Sequence, residues 1–257
     1  MIRFIQIILI SALICSSIFA GSVDSLKANI VNFLSASNVT TPGPKLTAAL
    51  NKLHDSAQLY STNCRSDGSW ADVNYTSPIG ATWETQKHYL RTYYMALAFT
   101  SPGQSLYRNA TLRNNISLAI QFLHNYQYSG IPITGWWYQN VGLPMYLGPT
   151  LVLMQNDLNV DTLNTAIATI DYLTTNIGAS SLSGANATWV ALNRVYVGIL
   201  KNDSAKIAYN VQFMGSSCVF GTVTSDGVMP DYSYWQHGAM LYTGGYGRNF
   251  MQDMVRV

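Results

Sequence analysis

The chain predicts an all-α protein. Segment after segment spaces its apolar residues at helical intervals. Clusters rich in Pro, Gly and Ser punctuate those segments. No stretch sustains the apolar–polar alternation of a half-buried strand.

The helical segments follow in order. Residues 24–36 (DSLKANIVNFLSA) come first, and after the breaker TPGP residues 45–60 (KLTAALNKLHDSAQLY) repeat the pattern. Residues 84–99 (ETQKHYLRTYYMALAF) are amphipathic, and residues 105–126 continue beyond SPG. Residues 144–155, 161–176, 187–200 and 203–214 follow, and 239–255 is expected to form the last helix. Loops of this length suit antiparallel helix pairs. No clean internal repeat is present, so periodicity alone does not define how the pairs are arranged.

The 257 residues suffice for one large domain with a sizeable core. Only 10% are charged and the net charge is +2, which offers no basic field for nucleic acid. The 17 tyrosines suit either a carbohydrate-facing surface or an aromatic core. At the N-terminus, Arg3 precedes an almost wholly apolar run from Ile5 to Phe19, and Ala20 and Gly21 supply a small-residue cleavage point. This reads as a signal peptide over residues 1–20, because the run is shorter than the ~20 residues a membrane span needs. A secreted chain is expected, with no membrane association after cleavage. Asn38, Asn74, Asn109, Asn115, Asn186 and Asn202 each head a glycosylation triplet. Cys64 and Cys218 remain after cleavage and stand as a candidate disulfide. No Cys or His spacing fits a metal site, so neither a metal nor another cofactor is expected.

The chemistry concentrates in residues 231–247, DYSYWQHGAMLYTGGYG. His237 and Tyr246 are side chains suited to moving protons. Tyr232, Tyr234, Trp235 and Tyr242 surround them with flat apolar faces that suit sugar rings. Two further segments stand out: SGANATW at 183–189 and GWWYQNVGLP at 135–144.

Together these segments resemble polysaccharide lyase family 8, the hyaluronate, chondroitin AC and xanthan lyases. DYSYWQHGAMLYTGGYG looks like the family's His and Tyr block, SGANATW matches its Asn, and GWWYQNVGLP matches its aromatic patch. DGSWADVNY at 67–75 looks like its early aromatic motif. The resemblance runs from about residue 25 to the end. It implies an incomplete (α/α) toroid of helical hairpins, with a partial lyase domain over 21–257. It also implies β-elimination on an acidic polysaccharide. Asn186 would neutralise the uronate carboxylate, His237 would support it, and Tyr246 would abstract the C5 proton and return one to the leaving oxygen. Trp136 and Trp137 would bind substrate, one packing and one stacking. The family usually has Asn where this chain has Gly135, and Gln139 and Asn140 stand close enough to compensate.

Other readings stand beside these. Asn186 also fits a glycosylated surface position, and His237 and Tyr246 also fit structural packing. Trp70, Trp83 and Trp189 are expected in the core, and His88 and Arg91 are structural or rim residues. The resemblance implies further helices, β-sandwich domains, and an Arg and a Glu supporting the tyrosine. Val257 follows Tyr246 by eleven residues, and Arg248 and Arg256 match no such position. A fragment, a truncated product and a chain completed by a partner all remain open, as does the oligomeric state. Low activity of this chain alone is expected, with a non-catalytic carbohydrate-binding module as the alternative. Hydrolysis ranks last. It needs paired carboxyl groups, and Asp67, Asp72, Asp226 and Asp231 do not accompany the Asn, His and Tyr.

Overall fold

The computed structural model describes residues 23–77, 83–127, 135–175, 177, 182–218, 220–222, 225–238 and 240–255. The expected signal peptide lies outside these residues. Helix α1 spans Val23–Ser35. The chain then divides into two compact units, 28–175 and 176–257, the latter grouped with residues up to 27.

In the first unit, α2 (Pro44–Thr62) begins on a proline, whose fixed φ suits a first helical position. Helices α3 (Gln86–Thr100), α4 (Ala110–Gln127), α5 (Leu143–Met154) and α6 (Val160–Thr175) follow. α3 packs on α2, α4 and α5, and α6 packs on α4 and α5. The stripe Leu112, Ile116, Ala119, Ile120 and Leu123 of α4 is buried, as helical spacing requires. Asn109 starts α4 by accepting a bond from Leu112 N at 3.0 Å, and Asn159 does the same for Thr162 N at 2.8 Å before α6. The α4 prediction therefore began too early, because residues 105–109 form the turn that ends in this cap.

The DGSW motif makes a fixed corner. Gly68 has φ +87°, and a Cβ there would lie 2.2 Å from Leu118 O of α4. Trp70 is buried, and its indole donates to Tyr60 O at 2.9 Å. Trp83 is buried as well. Arg91 forms a bidentate pair with Asp72, at 2.7 and 2.6 Å, and lies over the Tyr60 and Trp70 rings. The Arg91 guanidinium holds the Asp72 carboxyl down at about 2. His88 is fully buried between Tyr75 Oη at 2.9 Å and Ala119 O at 3.0 Å. His88 and Arg91 are thus structural.

In the second unit, α7 (Gly184–Leu200) buries every residue except Arg194. It forms a hairpin with α8 (Ser204–Ser216). The two approach so closely that a Cβ on Gly198 would lie 2.7 Å from Ile207 Cγ1. Asp203 caps α8 by accepting from Lys206 N at 2.9 Å.

The predicted single helix over 239–255 is replaced by a strand, a π turn and a short helix. The strand, β3 (Met240–Leu241), closes a small antiparallel sheet with β1 (Gly227–Val228) and β2 (Tyr234–Gln236). Its register pairs Val228 with Tyr234 and Gln236 with Met240. A π-helical turn follows over Thr243–Gly247, and α9 is only Arg248–Met254. Consecutive positive φ values at His237 (58°) and Gly238 (83°) follow β2, where the chain turns back towards β3. Burial pushes the Cys64 thiol up to about 11.

Candidate functional site

His237 and Tyr246 meet across the hairpin and the π turn. His237 stands exposed at the hairpin tip, in a left-handed conformation that a branched or bulky residue would resist. The π turn rests its Gly247 directly on Tyr234, where a Cβ would lie 2.7 Å from Tyr234 Cβ. Such wide turns occur often at functional sites. They bring His237 Nε2 to 3.2 Å from Tyr246 Oη, with the rings edge to face at 5.2 Å. Tyr242 adds a third ring, 5.1 Å from Tyr246 and 6.1 Å from His237. Trp189 of α7 closes the other side, 5.6 Å from Tyr246.

Asn186 occupies the first turn of α7, three residues before Trp189, so the two share a helix face. It is 7% exposed, which leaves no room for a glycan. Its side-chain oxygen has no hydrogen-bond partner among the described residues, so that end of the amide is not committed to the fold. Asn186, His237 and Tyr246 all belong to the second unit.

The polar scaffold below them is extensive. Gln236 Oε1 accepts from Ala185 N at 3.1 Å and Tyr234 Oη at 3.2 Å. Gln236 Nε2 donates to Asp226 Oδ2 at 2.6 Å. Gly184, at φ +52°, is required here: a Cβ would lie 2.4 Å from Gln236 Oε1 and 2.9 Å from Tyr234 Oη. The glycine of SGANATW thus makes room for the side chain that precedes His237.

Burial, then the Tyr242 and Asp226 charges, raise the Tyr246 phenol above its ordinary value. That is the wrong direction for a base. A phenolate here needs a cation or further donors beside it.

Trp136 and Trp137 belong to the first unit. They are the first helical residues before a π turn over Tyr138–Gly142 that leads into α5. Trp136 is 42% exposed. Trp137 is half-buried, with its ring edge-on to Tyr138 at 5.3 Å. Gly135 has φ +89°, which glycine adopts readily. Asn140 does not compensate for the missing Asn: it is buried and donates Nδ2 to Leu173 O.

Among carboxylates, Asp67 caps its own turn at Ser69 and Asp231 does so at Ser233. With Asp72 on Arg91 and Asp226 in the scaffold, each of the four carboxylates weighed for hydrolysis is held by hydrogen bonds of the fold. Among the described residues no group of His, Cys, Asp and Glu fits a metal ion.

Tyr242 is among the aromatics that the sequence places around the pair, whereas the supporting positions of Trp189 and Gln236 are not apparent from it. Trp189 reads as core, and it is buried, yet its ring also walls the Tyr246 side of the site. Gln236 gives one signal, its position next to His237.

An all-α fold of helical hairpins carries this His–Tyr pair and, in the same unit, a buried Asn. The model of polysaccharide lyase family 8, N-terminal alpha-helical domain, matches residues 31–257. The chain belongs to that family. It is 34% identical to a xanthan lyase of Bacillus sp. (strain GL1) over 172 residues, covering 65% of this chain and 18% of that protein. It is 28% identical to the chondroitinase-AC of Pedobacter heparinus over 195 residues, covering 74% of this chain and 27% of the relative. The solved structure of Paenibacillus xanthan lyase superposes with a TM-score of 0.74 at 27% identity, covering 90% of this chain and 22% of that one. The chain thus spans about a quarter or less of the length of these relatives. The incomplete (α/α)-toroid class expected from the sequence is the class of these neighbours.

Proposed function

We propose that the chain is the helical part of a secreted lyase that cleaves a uronic-acid-containing polysaccharide by β-elimination. The 3.2 Å contact between His237 and Tyr246, in the same unit as a buried Asn186, carries this reading. The C5 proton of a uronate is weakly acidic because the neighbouring carboxylate is already negative. Asn186 donates to that carboxylate and stabilises the charge that moves onto it as the proton leaves. Tyr246 takes the C5 proton, the C4–O bond breaks, and the electron pair becomes the C4–C5 double bond. The leaving oxygen takes a proton from the same phenol. His237 holds the Tyr246 oxygen in place and supports the carboxylate. Exposed Trp136 offers a flat face for a sugar ring. Xanthan, chondroitin and hyaluronan, named for the relatives, are the substrates to try.

A second reading rests on the raised Tyr246 phenol. Without a cation beside it, this chain by itself binds the polysaccharide and turns it over slowly or not at all. For localisation, removal of residues 1–20 and secretion remain the proposal. Among the described residues no helix is long and apolar enough to cross a membrane.

Ultraviolet absorbance of the 4,5-unsaturated product, on each polysaccharide in turn, tests elimination. Tyr246→Phe should abolish any turnover and leave binding in place, because only the proton-carrying oxygen is lost. Unchanged turnover in that variant rejects the assigned role. New reducing ends without unsaturation reject elimination. Binding without turnover supports the second reading.

A further inference from the structure

We propose that Asp226 and Gln236 form a positioning bridge that sets His237 and Asn186 against one another. This rests on the reading that those two residues act together at the site. Asp226 Oδ1 accepts from Gly238 N at 2.9 Å, and so grips the turn just after His237. Its Oδ2 accepts from Gln236 Nε2 at 2.6 Å, just before His237. The same oxygen accepts from Ser183 Oγ at 2.6 Å, at the residue preceding α7. Gln236 completes the bridge through Ala185 N at 3.1 Å, immediately before Asn186. His237 is therefore held on both sides in sequence, and the start of α7 is tied to the same two side chains. Gln236 is fully buried although polar, and its amide is used at both ends. Neither residue hydrogen-bonds to the His237 or Tyr246 side chain, and the Asp226 charge acts on the Tyr246 phenol only through space. They fix the backbone from which the reacting side chains project, including the left-handed turn at His237.

Asp226→Asn is the informative change. An amide offers one acceptor oxygen where the carboxylate offers two. With its oxygen in the Oδ2 place, the NH₂ would face Gly238 N–H and lose that bond. With its oxygen in the Oδ1 place, the NH₂ would face the Gln236 NH₂, and turning Gln236 to relieve this would release Ala185 N and Tyr234 Oη. The bridge thus cannot be kept whole.

The test is made on the whole chain by nuclear magnetic resonance of the four histidine rings, with His237 assigned by its loss in His237→Gln. In Asp226→Asn the His237 ring signals should shift and their through-space contact with the Tyr246 ring should disappear. His54, His88 and His124 should stay unchanged. Where a polysaccharide is turned over, kcat should fall roughly tenfold to a hundredfold with little change in KM, since a displacement near 1 Å is enough. A folded Asp226→Asn that keeps the His237 signals and the Tyr246 contact overturns the proposal. If that variant unfolds, Ser183→Ala removes one bond only and should shift the His237 signals in the same direction by less. An unchanged His237 there overturns the proposal too. Full turnover in His237→Gln and Tyr246→Phe would instead refute the site reading, and would leave the bridge to be judged by the ring signals alone.

Discussion

At the scale of single residues, His237 is the position where conformation and chemistry conflict. A non-glycine residue at φ 58° is strained by about 1 kcal/mol or more, although His tolerates this region better than most. The side chain is exposed and its partner is a half-buried tyrosine, so the fold gains little from the ring. His237→Gly should relieve the strain, lose the ring contacts, and raise the entropy of the unfolded chain. These effects nearly cancel, and the unfolding free energy should move by no more than about 1 kcal/mol. Turnover, where present, should vanish. A loss of stability beyond about 2 kcal/mol, within the range typical of structural residues, would show instead that the ring is structural. Asn186, His237 and Tyr246 are legible in the sequence because their motifs carry the residue types and spacing together. Asp226 and Gln236 are not, because their partners lie 43 and 51 residues away and the bonds form only once the hairpin has closed on α7.

At the scale of elements, the packing of α3 on α4 contains a titratable weak point. Burial lowers the His88 imidazole to about 3, against 6.5 for a free imidazole. Between those values the unfolded chain binds a proton that the folded chain does not. Stability is therefore full above pH 6.5 and is lost progressively as pH falls towards 3, amounting to about 2 kcal/mol at pH 5. Urea midpoints at pH 7.5 and 5.0 check this, and equal midpoints would show that His88 accepts a proton in place. Asp72, held down at about 2 by Arg91, loses its stabilisation below about pH 5, so it does not obscure the comparison of pH 7.5 with 5.0. The helices themselves were legible wherever one face carries the core, as in α4. The segment over 239–255 was not, because Tyr, Trp, Met and Leu there fit a helix pattern and short strands equally well. Left-handed φ values at His237 and Gly238 decide for the hairpin. The π turns at 138–142 and 243–247 leave no mark that periodicity detects.

At the scale of the whole molecule, the glycosylation triplets are where secretion and fold constrain one another. All look alike in sequence, but they differ in what the folded chain leaves available. Asn38, Asn74 and Asn202 are exposed. Asn74 also accepts from Thr76 N at 3.0 Å and Thr76 Oγ1 at 2.9 Å, so its triplet is already turned outward. Asn115 is half-buried and donates Nδ2 to Ser61 O and Oγ, both at 3.0 Å, so the nitrogen that would carry a sugar is in use. Asn186 is buried in the first turn of α7. A glycan on either of these two would break packing or fill the site, and such chains should fail to fold. Secreted from a host that glycosylates, the folded protein should therefore carry sugar on Asn38, Asn74 and Asn202, and none on Asn115 or Asn186. Enzymatic deglycosylation in heavy-oxygen water, followed by peptide mass spectrometry, marks each modified asparagine. The N-terminal peptide in the same digest reports whether cleavage occurred near Ala20. A glycan on Asn186 in soluble, cooperatively unfolding protein would place that residue on the surface and remove it from the elimination chemistry.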